Sequence, residues 1–139
     1  VATKDQDVVS LAEELRLAKS YFYLIETRFG ADYTFALNEG KGKQESRYLP
    51  NGALLTLLEN VVKHNAPQEG AAVQTTIRVE EAHLIVANTR RPLSGNGPTL
   101  GTGLDSLQKR YTLLTGQQLQ IEETDTNFEV RLPYLTLTD

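Results

Sequence analysis

Apolar residues recur at helical spacing near the start of the chain. They lie three and four positions apart and predict a helix over residues 11–28, the positions being Leu11, Leu15, Ala18, Phe22, Ile25 and Phe29. Ser10 and Glu13 fit a capping box at its first turn, because each side chain can satisfy an amide that the turn leaves free. Gly30 is expected to end this helix.

Two further helices are predicted downstream. Pro50 suits a first helical position, and an apolar face follows it over residues 50–64, at Leu54, Leu57, Leu58, Val61 and Val62. The same spacing predicts a third helix over residues 104–115, which Gly116 ends. Before it, residues 89–103 hold four of the ten glycines and two of the five prolines, which predicts a long mobile loop of the kind that often carries function.

Strand patterns occupy the intervening segments. Residues 32–38 form one predicted strand, and two hairpins are predicted from the pairs 73–80 with 83–88 and 118–123 with 128–132. The order helix, strand, helix, hairpin, loop, helix, hairpin lacks the regular alternation of a doubly wound fold. It predicts an α/β fold, a two-layer sandwich with a mixed, mostly antiparallel sheet and helices on one face.

Composition narrows the class of protein. The 139 residues have a net charge of −4, with 40% hydrophobic and 23% charged side chains, as in one soluble globular domain. The absence of cysteine excludes disulfides and thiolate zinc sites, and the negative balance disfavours a nucleic-acid surface. The sequence contains no apolar run of the kind that would suggest a leader or a membrane span. The chain also lacks methionine, so we expect either a processed start or a piece of a longer protein.

The end of the second predicted helix carries candidate chemistry. Asn60 and His64 lie one turn apart on a polar edge beside the apolar face. A carboxamide oxygen there could bind Mg²⁺, while Lys63 and His64 could approach phosphates. The alternative is an ordinary surface, because Glu59 and Lys63 are spaced for an i,i+4 ion pair worth about 0.2 to 0.5 kcal/mol.

A second motif stands where the glycine-rich loop meets the third helix. Gly101, Thr102, Gly103 and Leu104 would place free backbone amides at a helix N-terminus, which attracts anions. The alternative is a connector that happens to precede a helix. Neither a P-loop nor a dinucleotide-binding fingerprint is present.

In order and spacing, these motifs together with Asn88 resemble the ATP-binding domain of LytS-type sensor histidine kinases, in the GHKL (Bergerat) superfamily. The resemblance covers nearly the whole chain. Residues 11–29 resemble the connecting helix of the family, residues 49–50 and 57–64 resemble its N box, and residues 101–104 resemble its last glycine box, followed by Leu107 and Arg110.

The resemblance implies a Bergerat-type fold with two parts. Residues 1–30 would be a connecting helix from an absent dimerisation and phosphoacceptor region, packed on the domain, and residues 31–139 would be the ATP-binding domain. Mg-ATP would lie between the second helix and the loop, which would act as a lid.

The resemblance also implies roles for single residues. Asn60 would bind Mg²⁺, with Glu59 beside it as the nearest carboxylate for proton transfer, and Lys63 and His64 would face the phosphates. Asn88 would accept a hydrogen bond from the adenine amino group. Backbone amides of the last glycine box would bind phosphates, at Gly101, Thr102, Gly103 and Leu104.

The chain departs from the family pattern at three points. Asn88, Thr89 and Arg90 stand where the family has Asp-x-Gly, so adenine selectivity is less secure. Thr56 stands where ATP-hydrolysing relatives of the fold have a glutamate base, so free ATP hydrolysis is not expected. No phosphoacceptor segment is present, so the fragment would not autophosphorylate alone.

The implied function is that of a bacterial protein-histidine kinase, whose catalytic domain transfers the ATP γ-phosphoryl group to a histidine outside this chain. Expected partners are its own phosphoacceptor domain, a LytTR-type response regulator and a second copy in the full-length protein, without nucleic acid or direct membrane contact. The domain would be the cytoplasmic part of a membrane-anchored protein. One alternative is a non-catalytic nucleotide-sensing or docking module, and another is an α/β scaffold without nucleotide.

Overall fold

The computed structural model describes residues 7–40, 47–65, 71–90 and 102–135. Its helices are α1 (Leu11–Phe29), α2 (Ala53–His64) and α3 (Thr102–Thr115), and a 3-10 turn, Gly30–Asp32, follows α1. Its strands are β1 (Val8–Ser10), β2 (Tyr33–Asn38), β3 (Tyr48–Pro50), β4 (Val73–Val79), β5 (His83–Thr89), β6 (Gln120–Glu123) and β7 (Asn127–Pro133). Most of the predicted loop, residues 91–101, lies outside the described residues.

The main sheet has the strand order β2-β4-β5-β7-β6. Strands β2 and β4 pair in parallel, and the other three pairs are antiparallel. This confirms the predicted α/β fold with a mixed, mostly antiparallel sheet and both predicted hairpins. The central pairing of β5 with β7 joins the two hairpins, and local sequence patterns do not reveal such long-range pairing.

One face of the sheet packs on the helices, as predicted. Along β4 the side chains alternate, so that Val73, Thr75 and Ile77 are buried while Gln74 and Thr76 are exposed. The main core joins this inner face of the sheet to all three helices, and its fully buried members include Leu11, Leu54, Leu58, Ile77, Leu84, Leu107, Tyr111 and Leu132.

A second, two-stranded sheet was not predicted. Strands β1 and β3 pair antiparallel, with Val8 opposite Pro50. The Leu11 amide donates to the Arg47 carbonyl at 2.7 Å, which holds the start of α1 beside β3. These strands have three residues each, too short for an alternating pattern to identify them.

The predicted start of the second helix at Pro50 is wrong. Pro50 ends β3, and α2 begins at Ala53 after Gly52, whose φ of +79° lies in the left-handed region that favours glycine. Gly52 offers no side chain to cap the helix, so the free amides of the first turn need another partner.

Glu14 on α1 supplies that partner. Its side chain is 1% exposed, and its carboxylate accepts from the amides of Gly52 at 3.0 Å and Leu54 at 2.9 Å. Removal from water raises the pKa of Glu14, while these two bonds and the charge of Arg110 pull it down. The carboxylate therefore connects α1 to the start of α2.

Helix α3 is fastened to the sheet by a buried tyrosine. The hydroxyl of Tyr111 donates to the carbonyl of Pro133, at the end of β7, at 2.9 Å. Desolvation raises the pKa of Tyr111, so the phenol stays a donor at any physiological pH. Within the described ranges, no helix is long and apolar enough to cross a membrane.

Candidate functional site

A cleft opens between α2, the start of α3 and the strands β5 and β7. It contains about 420 Å³ of space, including the part open to solvent. Its walls are mainly apolar, with a few polar side chains on both the α2 and the β5 sides. The lining residues are Leu57, Asn60, Val61, His64, Asn65, Val86, Asn88, Arg90, Leu104, Phe128 and Val130. Apolar walls with a few placed polar groups are typical of sites for small organic ligands.

The geometry of α2 places Asn60 and His64 on the cleft. The helix buries Leu57 and Val61 toward the sheet, and residues one turn apart share a face, so Asn60 and His64 line its border. Both side chains are half-buried. The Nε2 atom of His64 is buried and has no hydrogen-bond partner within the described ranges.

Asn88 lies on the opposite wall. It continues the inward side of β5 after Leu84 and Val86, and it is 5% exposed. Its Nδ2 donates to the Thr89 carbonyl at 2.9 Å. No hydrogen bond to its Oδ1 occurs among the residues the structure describes, so this oxygen remains an available acceptor.

Glu59 and Lys63 lie away from the cleft. Both are exposed on α2, and neither belongs to the cleft lining. The i,i+4 ion pair between them is also not formed in this part of the structure. Their assigned roles in proton transfer and phosphate binding stay predictions.

The first turn of α3 borders the cleft. Gly101 lies outside the described residues, and the backbone at Thr102 and Gly103 begins the helix. Leu104 is 2% exposed and lines the cleft, so the amides that start α3 are close to it. Such amides lack intrahelical partners and favour anions.

No protein-family model and no curated protein matches the chain. Several solved structures, in contrast, are similar to this chain. The catalytic domain of the histidine kinase ThkA is 15% identical with a TM-score of 0.58, and the match covers 94% of this chain and 97% of that one. The cytoplasmic segment of the histidine kinase QseC is 18% identical with a TM-score of 0.62, covering 96% and 81%. A histidine kinase from Burkholderia phymatum STM815 is 14% identical with a TM-score of 0.58, covering 97% and 75%.

The chain has the fold of histidine kinase ATP-binding domains. In this kinase-type fold, the cleft lies between the helix layer and the inner face of the sheet, at the ends of β5 and α2.

Two polar residues that line the cleft were not predicted as site residues. Asn65 is 4% exposed; its Nδ2 donates to the Val61 carbonyl at 3.1 Å, and its own carbonyl accepts from the Tyr33 hydroxyl at 2.9 Å. Burial raises the pKa of Tyr33, which keeps this phenol protonated as the donor. The role of Asn65 in fixing this wall depends on its contact with Tyr33 of β2, which the sequence does not reveal.

Arg90 is the second polar residue of the cleft that was not predicted as a site residue. It follows β5 and lines the cleft, and its guanidinium reaches the β6–β7 turn, where it donates to the Thr124 carbonyl at 2.8 Å and pairs with Glu123 at 3.1 Å. The sequence signalled this position only as a departure from a glycine in the family pattern.

A metal ion at the cleft would depend on few protein ligands. Among the described residues, no group of three His, Cys, Asp or Glu side chains could hold an ion. Mg²⁺ commonly takes one or two protein oxygens and completes its shell with phosphates and water. The half-buried Asn60 carboxamide at the cleft fits that pattern as a single protein ligand.

Proposed function

We propose that this chain is the ATP-binding catalytic domain of a LytS-type two-component sensor histidine kinase, which transfers the γ-phosphoryl group of ATP to a histidine outside residues 1–139. The observation that carries the proposal is the cleft. On a fold found in histidine kinase catalytic domains, Asn60, His64, Asn88 and Leu104 come from three separate segments and line one site.

The walls of the cleft suit an adenine base. Val86, Val130 and Leu57 supply apolar surface that a flat ring can cover. Asn88 offers an oxygen acceptor at the buried end, and we assign it the adenine amino group. A carboxamide oxygen accepts such a bond as a carboxylate does.

The polar side of the cleft suits the triphosphate. Asn60 would hold Mg²⁺ through its side-chain oxygen, and His64 in the cleft lining and the exposed Lys63 would face the phosphates. Backbone amides of Gly101 and of the first turn of α3, at Thr102, Gly103 and Leu104, would bind phosphate oxygens. A bound Mg²⁺ neutralises charge on the phosphates. The net charge of −4 is compatible with this ligand because these groups are local.

The transfer itself requires mainly position and charge neutralisation from the domain. The bond between the γ-phosphorus and the oxygen that bridges it to the β-phosphate breaks, and a bond from that phosphorus to a nitrogen of the acceptor imidazole forms, leaving ADP. We assign to Glu59, the carboxylate beside Asn60, the acceptance of the proton that the imidazole loses.

The surrounding protein is part of the proposal. Residues 1–30 would connect this domain, residues 31–139, to a phosphoacceptor and dimerisation region of the same protein. The full-length kinase would be a membrane-anchored homodimer with this domain in the cytoplasm, and its phosphoryl group would pass to a LytTR-type response regulator.

Mg-ATP binding is the first test. We expect Mg-ATP at 100 times its dissociation constant to stabilise the domain by about 2.7 kcal/mol, measured as a rise in melting temperature. A single turnover of the full-length protein with γ-labelled ATP should then label a histidine. A melting temperature that Mg-ATP leaves unchanged at millimolar concentration would contradict the proposal.

A non-catalytic nucleotide-sensing or docking module is the second candidate. It is favoured by the exposed position of Glu59 outside the cleft and by Thr56, which offers no carboxylate. Such a module would give the ATP-dependent thermal shift, but the full-length protein would never label a histidine.

A further inference from the structure

We propose that Arg90 is a base-recognition residue of this cleft. Its Nε–H donates to a ring nitrogen of adenine, next to the amino group that donates a hydrogen bond to Asn88. The inference rests on the proposed function and adds a specificity residue to it. Its observation is a buried guanidinium donor without a partner in the lining of the cleft.

The backbone brings Arg90 and Asn88 to the same wall. Side chains alternate along a strand, so residues two apart point to one face. Asn88 faces inward near the end of β5, and Arg90 comes two positions later, with its amide bonded to the Thr126 carbonyl at 2.8 Å. Both residues line the cleft.

The guanidinium of Arg90 is held in one plane. Its NH1 donates to the Thr124 carbonyl at 2.8 Å, and its NH2 pairs with Glu123 at 3.1 Å. The side chain is 17% exposed. Because the guanidinium is a rigid planar fork, fixing the two terminal nitrogens also fixes the direction of the Nε–H.

The Nε–H is the donor that remains. It is buried and has no hydrogen-bond partner among the described residues. Buried polar groups are nearly always paired in native proteins, so a ligand atom is the expected partner for an orphan donor in a ligand cleft. A donor already fixed in position also loses little entropy when the ligand binds.

The Asn88 oxygen and the Arg90 Nε–H together match the hydrogen-bonding edge of adenine and not that of guanine. Adenine presents an amino donor next to acceptor ring nitrogens, N1 on one side and N7 on the other. Asn88 offers the acceptor through Oδ1, since its Nδ2 is engaged by Thr89, and Arg90 offers the donor. Guanine carries an oxygen in place of the amino group, which would face the Asn88 oxygen and be repelled.

The test measures nucleotide affinity by calorimetry, with Mg-ATP and the analogues 1-deaza-ATP and 7-deaza-ATP, each of which lacks one ring nitrogen. We expect Arg90→Ala to bind ATP about tenfold more weakly than the natural chain, because it loses a hydrogen bond to a charged group. One of the two analogues should be about tenfold weaker than ATP in the natural chain, with no further loss in Arg90→Ala.

Arg131→Ala is the matched control. Arg131 lies on β7, outside the cleft lining, and pairs with Glu129 at 3.0 Å. The substitution therefore removes an arginine and one ion pair but no contact with the base. The variant should bind ATP like the natural chain. If Arg90→Ala does not fold, Arg90→Lys takes its place, since lysine keeps the charge but lacks the fixed Nε–H.

Two results overturn the inference. One is an ATP affinity unchanged by loss of the Arg90 guanidinium. The other is a loss of equal size for ATP and both analogues, because Arg90 would then act on the phosphates or on the fold. Failure of the natural chain to bind Mg-ATP is a separate result, and it removes the proposed function itself.

Discussion

Single side chains give the cleft its chemistry, and besides Arg90 two of them do so by leaving atoms unpaired. His64 has a buried Nε2 without a partner among the described residues, and the buried Asn88 keeps Oδ1 available because Nδ2 is bonded to its neighbour. Helical spacing pointed to His64 and the family resemblance pointed to Asn88, and the roles of both residues stay predictions. The availability of these atoms could not be predicted, because it depends on which neighbours approach each side chain in the folded chain.

Asn60 is the residue on which Mg-ATP binding depends most directly in the proposal. Asn60→Asp introduces a negative charge beside the phosphates. We therefore expect the affinity for Mg-ATP, measured by calorimetry, to fall at least about tenfold. The direction follows from repulsion between like charges in a half-buried site.

The control for that variant adds the same charge elsewhere. Asn38 ends β2 at the far edge of the sheet, is exposed, and accepts from the Gly40 amide at 3.1 Å through Oδ1, a bond that an aspartate can keep. Asn38→Asp should leave ATP affinity unchanged. An unchanged affinity in Asn60→Asp as well would remove Asn60 from the site.

At the scale of elements, the arrangement of α1 and α2 depends on a carboxylate that belongs to the first helix. Glu13 and Glu14 are adjacent in the sequence. Of the predicted capping box the structure forms the Ser10 half, in which the Glu13 amide donates to the Ser10 hydroxyl at 3.2 Å, while the Glu13 carboxylate pairs with Arg16. Glu14 instead caps α2, about 40 residues later. A pattern of local capping residues cannot identify a cap that comes from another helix.

The Glu14 cap should be a measurable part of the stability. Glu14→Ala leaves the amides of Gly52 and Leu54 without their acceptor, so we expect the free energy of unfolding to fall by about 2 kcal/mol in urea denaturation. Glu26→Ala, at an exposed position of the same helix, is the control and should change it by less than about 0.5 kcal/mol. Equal effects would show that Glu14 is not a cap.

At the scale of the whole molecule, α1 and the α/β body share one hydrophobic core. Leu11, Leu15 and Ala18 pack in the same cluster as Leu58 of α2 and Ile77 of β4. Helix α1 is therefore packed against the rest of the described chain. Because the core is shared, we expect that removal of apolar atoms from α1 lowers the free energy of unfolding of the whole fold.

Leu15→Ala tests this shared core. Leu15 is 2% exposed, so we expect the free energy of unfolding to fall by about 2 to 5 kcal/mol, with one transition seen by circular dichroism and tyrosine fluorescence. Leu24→Ala makes the same change on the same helix at a side chain that is 62% exposed. It should cost less than about 0.5 kcal/mol. Two separate transitions would mean that α1 unfolds independently.

The sequence by itself determined the three helices, the five strands of the main sheet, the α/β class and the shared edge of α2 on which Asn60 and His64 lie, because these depend on periodicity and on spacing within one element. Tertiary structure alone decided the β1–β3 pair that displaced Pro50 from the helix, the capping of α2 by Glu14 and the entry of Arg90 into the cleft. Each of these rests on a hydrogen bond or contact between segments distant in sequence, and the energy of such a contact exists only once the chain has brought both partners together.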